Sequence, residues 1–169
     1  MRTNASLWAL VLFLAAAAAY DDRGALNPDV RQATIGQTIC VPGYTKAARP
    51  SLNFTHGVKR MLLKRAGRDR ARAFEYELDH IIPLGLGGHP RKLENLELQL
   101  WAGQSGAKRK DRIEAKLQCM VCSGQVTLAD AQREILTDWQ TAYHRYALEN
   151  CHMERAMDDQ SPSRRHRPG

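Results

Sequence analysis

The sequence predicts an α+β fold in which a short antiparallel hairpin packs with helices and is tied by disulfides. Three observations predict it. A run rich in aromatic and β-branched residues, 73–82, is followed after a glycine-rich break by Leu96, Leu98 and Leu100 alternating with Glu97 and Gln99, the period of a half-buried strand. Two later stretches, 107–121 and 127–148, repeat apolar residues at helical spacing. Four cysteines, Cys40, Cys119, Cys122 and Cys151, suit an oxidising compartment and allow three pairings.

In chain order, residues 1–19 carry Arg2, an apolar run from Leu7 to Ala19 and the small residues Ala17, Ala18 and Ala19. A positive start, a short apolar run and an alanine-rich exit predict a secretory signal peptide, too short to span a bilayer comfortably. No later stretch is apolar enough to cross a membrane. The mature protein is therefore expected to be periplasmic or secreted, with no stable membrane association. At 169 residues the chain can form one domain with its own core. Loss of Arg2 with the leader lowers the formal net charge from +7 by one. The remaining positive charge favours polyanions without naming one. It is concentrated at Lys59, Arg60, Lys64, Arg65, Arg68, Arg70 and Arg72, and again at Lys108, Arg109, Lys110 and Arg112.

Residues 20–52 have little periodicity and read as an extended lead-in, with Pro42 and Gly43 making a turn. From Asn53 or Thr55 a short helix is expected around Val58, Met61, Leu62 and Leu63, with Thr55 as a possible cap. The strand of 73–82 ends at Pro83, and Gly85, Gly87, Gly88 and Pro90 make the hairpin connection. Ile113, Leu117 and Met120 mark the next helix, whose cationic start opposes the macrodipole and would suit a docked anion. Thr127 and Asp130 approximate a capping box for the last helix, with Trp139 and Tyr143 on its buried stripe. Residues 151–169 are polar and basic and read as a disordered tail.

The chemistry-bearing residues lie between Tyr76 and Asp111. A carboxylate at Asp79 is a good ligand for a hard cation, and a neutral imidazole at His80 can take a proton from water near neutral pH. Asn95 can hold that ring, or the backbone that carries it. Lys108, Arg109 and Lys110 are the candidate phosphate-binding charges. Cys119 and Cys122 also have the spacing of a zinc or thiol-redox motif, but neither a second ligand pair nor a strand-to-helix context accompanies them. Two disulfides, Cys40 with Cys122 and Cys119 with Cys151, are expected instead, each tying a terminal segment to the central helix.

The ordered pattern Leu78-Asp79-His80-Ile-Ile-Pro83, Gly87-Gly88, Asn95-Leu96 and Lys110-Asp111-Arg112-Ile-Glu114 resembles the HNH endonucleases, and most of all small exported bacterial members. The resemblance covers roughly residues 74–121 and implies a ββα-metal core within a nuclease domain of 53–150. It implies Asp79 as metal ligand, His80 as general base and Asn95 as its positioner, with a divalent ion of the Mg, Mn, Ni or Zn kind. The family's last ligand, a His or Asn at the helix start, has no counterpart between Trp101 and Asp111. Gln104 is left as a weak ligand through its carbonyl oxygen, with Ser105 acting through water. The function expected is an exported, metal-dependent DNA endonuclease with little sequence preference, with room for an inhibitor protein as a partner. The alternative is a catalytically weak or inactive ββα module that binds nucleic acid.

Overall fold

The computed structural model describes residues 25–146 and 148–151. The leader 1–19 and nearly all of the tail 151–169 lie outside the described residues. What is described is mixed: a two-stranded antiparallel hairpin, four α-helices and two disulfides, in agreement with an α+β fold. No helix among the described residues is long and apolar enough to cross a membrane. The disulfides themselves suit an oxidising, extracellular environment.

The hairpin pairs β1, Tyr76–His80, with β2, Leu96–Leu100, in the register Tyr76↔Leu100 to His80↔Leu96. The pairing runs on at both ends, because Ile81 N–H donates to Asn95 O (2.9 Å) and Trp101 N–H to Glu75 O (2.9 Å). The long connection is ordered by two 3-10 turns, Leu84–Leu86 and Leu93–Asn95. Gly88 is needed there: a Cβ on it would lie 1.7 Å from Ile82 O and 2.7 Å from Asn95 Nδ2.

The lead-in is not simply extended. Leu26 bridges Gly88, Gln32–Gln37 form a 3-10 turn, and Val30 and Ile39 are buried in the main core. Their irregular spacing hid this from a periodicity argument. A short helix α1, Tyr44–Ala48, follows Gly43, whose φ of +84° opens it. Helix α2 spans Leu52–Arg65 and buries Val58 and Leu63. It begins before Thr55, which sits inside the first turn and donates to Leu52 O rather than capping. It ends at Gly67, where φ is +61° and Arg68 N–H returns to Leu63 O (2.9 Å). Lys59 Nζ donates to Tyr76 O (2.6 Å) and so pins α2 to β1.

Helices α3, Ala107–Cys122, and α4, Leu128–Tyr146, pack together and carry the core. Ile113, Leu117 and Val121 of α3 meet Leu128, Ala131 and Ile135 of α4, with Ile82 and Leu86 of the hairpin connection laid over them. Trp139 and Tyr143 pack against this core. Thr127 Oγ1 accepts from Asp130 N–H, the capping bond expected, while the Asp130 carboxylate accepts from the Thr127 hydroxyl rather than from its backbone N–H. Helix α4 is not continuous, however: Asp138 is extended (φ −167°, ψ 91°) and accepts from the N–H groups of Gln140 and Thr141, capping a second helical segment. Cys40 joins Cys122 and Cys119 joins Cys151, the pairings expected, so both terminal segments attach to the last turn of α3. No free cysteine is left among the described residues for a thiol or zinc role.

Candidate functional site

One face of the hairpin is strongly polar. Side chains alternate along a strand, so Glu77 and Asp79 of β1 share a face, and the register sets Gln99 opposite Glu77 and Glu97 opposite Asp79. The start of α3 lies over this face and brings Lys110, Asp111 and Glu114. A cleft of about 460 Å³ opens beside it, lined by Asp79, His80, Glu114, Arg49, Lys59 and Trp101 among others.

At the centre of the polar face, behind the cleft wall, is Lys110, only 1% exposed. Its ammonium donates to Asp79 Oδ2 (2.9 Å), His80 O (2.7 Å) and Glu114 Oε1 (2.6 Å), which uses all three of its N–H groups. Burial opposes the charge, but Glu114 and Asp79 more than offset it, and the Lys110 pKa is pushed up to about 12. Asp79 thus accepts one hydrogen bond on each oxygen, since Oδ1 takes that from His80 N–H (2.8 Å).

His80 is half-buried. Its Nε2 stands 3.1 Å from Pro90 O. A carbonyl can only accept, so this hydrogen bond places the proton on Nε2 and leaves the lone pair of the neutral ring on Nδ1. Burial pulls the His80 pKa below its ordinary value against the Pro90 bond and the Asp79 charge, which keeps the ring neutral at pH 7.

Asn95 does not touch the imidazole. Fully buried, it accepts from Ile82 N–H at Oδ1 (2.8 Å) and donates through Nδ2 to Ile82 O (3.0 Å) and His89 O (3.1 Å). It thus holds the chain on both sides of the hairpin connection and sets where Pro90 O faces His80. Of its two possible tasks, holding the ring or holding the backbone, it performs the second.

The other expected site residues scatter. Lys108 is exposed near the start of α3 and does not line the cleft. Arg109 turns to α4, donating to His144 Nε2 (3.0 Å) with its guanidinium 4.3 Å from the Tyr143 ring centroid. Lys110, expected as a phosphate-binding charge, is buried against carboxylates and cannot reach a phosphate while it stays there. The reason was present in the spacing: Ala107, Lys110, Ile113 and Leu117 form one buried stripe on α3. Gln104 is exposed in the loop before α3 and is not part of the cleft wall, and Ser105 accepts from Gln140 Nε2 (2.6 Å) through Oγ. Arg49 and Lys59 do line the cleft, although nothing local in the sequence marks either as a site residue.

The carboxylates around Lys110 are held towards neutrality. Burial, then Asp79 and Asp111, raises the Glu77 pKa to about 7. Burial likewise raises Glu97 and Asp111, and raises Glu114 against the pull of Lys110. Glu77 Oε2 and Gln99 Oε1, on facing residues of the hairpin, are buried with no hydrogen-bond partner among the described residues.

A divalent ion at Asp79 does not fit these residues. An ammonium already stands against Asp79 Oδ2, where the ion would sit, and among the described residues no three His, Cys, Asp or Glu side chains converge to hold a metal. Comparison with known protein families, curated proteins and solved structures returns no match for this chain.

Proposed function

We propose that this chain is an exported phosphodiester hydrolase acting on nucleic acid, DNA foremost, with the hairpin and α3 serving as an HNH-like ββα unit and His80 as the general base. The observation that carries the reading is the state of His80: a neutral imidazole on a cleft wall, its Nε2 proton spent on Pro90 O and its Nδ1 left to accept. Water attacks phosphorus and gives its proton to Nδ1, while the bond to the leaving oxygen breaks and that oxygen takes a proton from solvent. Arg49, on the same cleft wall, supplies positive charge for the phosphoryl oxygens. The exposed row of Arg60, Lys64, Arg65 and Arg68 on and just beyond α2 gives a backbone-binding track with no means of reading bases. No step is assigned to a metal ion.

The experiment is nicking of supercoiled plasmid alongside DNA retention on a filter. His80→Ala is expected to abolish nicking and leave retention within about twofold. Loss of both together would make His80 structural. One observation favours a second reading, a binding module without turnover: the Asp79–Lys110 ion pair closes the carboxylate that resembles a metal ligand. Wild-type protein that retains DNA but leaves plasmid uncut, with or without added Mg, Mn, Ni or Zn, would establish that reading instead.

A further inference from the structure

We propose that the Asp79 and Glu114 carboxylates on this cleft's wall are neutralised from behind by Lys110, a buried ammonium held by both of them and by the His80 carbonyl, and that the chain takes no divalent ion at Asp79. Three oxygens from three residues converge on Nζ at 2.6–2.9 Å, and Lys110 is as fully buried as the aliphatic core around it. The lysine does not reach this position by accident of a flexible side chain. It occupies one step of the buried α3 stripe between Ala107 and Ile113, so its Cα faces inwards whenever the helix packs.

A divalent ion that takes Asp79 Oδ2 and Glu114 Oε1 must displace the Lys110 ammonium from both, leaving a buried cation without its partners, or bind elsewhere. Elsewhere is not provided for, because no trio of suitable ligands converges among the described residues. The result is a centre balanced by one resident cation. Lys110 also fixes the segment that carries the base, because it donates to the carbonyl of His80 while Asp79 accepts from the N–H of the same residue.

The test is a titration of the full-length oxidised protein with Mn²⁺, followed by electron paramagnetic resonance, for wild type, Asp79→Asn and Lys110→Met. Wild type is expected to show no site tighter than about 1 mM, the weak end of protein cation sites. Lys110→Met, which vacates three oxygens without emptying the volume, is expected to gain Mn²⁺ affinity by tenfold or more. Wild type that binds one Mn²⁺ below that limit, with the binding lost in Asp79→Asn, would overturn the proposal. If Lys110→Met does not fold, the wild-type and Asp79→Asn titrations still decide it. A second arm rests on the reading of the cleft as a phosphodiester site: nicking by wild type should persist in EDTA. Nicking that EDTA abolishes would overturn the proposal. Absence of nicking under every condition counts against the hydrolase reading alone, with the Mn²⁺ titration then deciding the cation.

Discussion

Asn95→Asp isolates the hinge of the site with almost no change in shape. The native amide makes three hydrogen bonds at zero exposure, one as acceptor and two as donor. The introduced carboxyl keeps the bond from Ile82 N–H and turns the other two into contacts between oxygens. Each buried carbonyl left without its donor costs about 1–3 kcal/mol, so the loss at pH 8 is expected near 4 kcal/mol. At pH 4 a protonated carboxyl can donate to one of the two carbonyls, and the loss should fall to about 2 kcal/mol. The sign follows from linkage: a carboxyl whose folded pKa is raised binds more protons folded than unfolded, so its penalty grows as pH rises through the folded value. Urea unfolding followed by circular dichroism at the two pH values reads both numbers. A loss under about 1 kcal/mol at pH 8, or an equal loss at both, would refute the role given to Asn95. Because the same amide holds His89, next to Pro90, the variant should also nick plasmid more slowly while binding it normally.

Glu77→Gln should stabilise the protein at alkaline pH. The native carboxyl, raised from 4.5 to about 7, makes a contribution that is fully present below its unfolded pKa and is lost as pH rises through about 7. In a sealed site that shift corresponds to about 3 kcal/mol; Glu77 is half-buried, and solvent screening reduces it to about 1 kcal/mol. The variant's urea midpoint should therefore rise relative to wild type at pH 8 and not at pH 4, and a pH-independent difference would contradict the assignment. The disulfides should rank by span. Cys40–Cys122 closes 82 positions and Cys119–Cys151 closes 32, which the chain-entropy view values at about 4.5 and about 3.7 kcal/mol. Serine replacement of each pair, compared by urea unfolding, should show both losses with the first the larger; losses under about 1 kcal/mol would mean that the unfolded chain is already compact there.

The parts of this fold that sequence made legible are those governed by local periodicity. Leu96, Leu98 and Leu100 alternate because β2 buries one side, and Ile113, Leu117 and Met120 recur because α3 does, so both elements were placed within a residue or two. The lead-in departs from an extended segment because Val30 and Ile39 reach the core from the flanks of a 3-10 turn, which have no repeating pattern to detect. The break in α4 has no periodicity signal because the apolar stripe continues past it, although Asp138 three residues before Thr141 is a capping signal. Within the site, His80 and Asp79 line the cleft, and Asn95 bonds to backbone alone. Lys110 lies inside against the expectation from its charge, because Asp79 and His80 from the hairpin and Glu114 one turn on converge on it and make its burial tolerable. The hairpin contacts are tertiary and leave no local trace.

The placement of the two cross-links has a mechanical consequence. Tension applied at the two ends passes from Cys40 directly to Cys122, back three residues to Cys119, and out through Cys151. The covalent load path therefore skips residues 41–118, which hold the hairpin and its cleft, and 123–150, which hold α4. Stretching between the ends cannot pull β1 from β2, and a protease that cuts once within 41–118 releases no fragment until a sulfur–sulfur bond is also reduced.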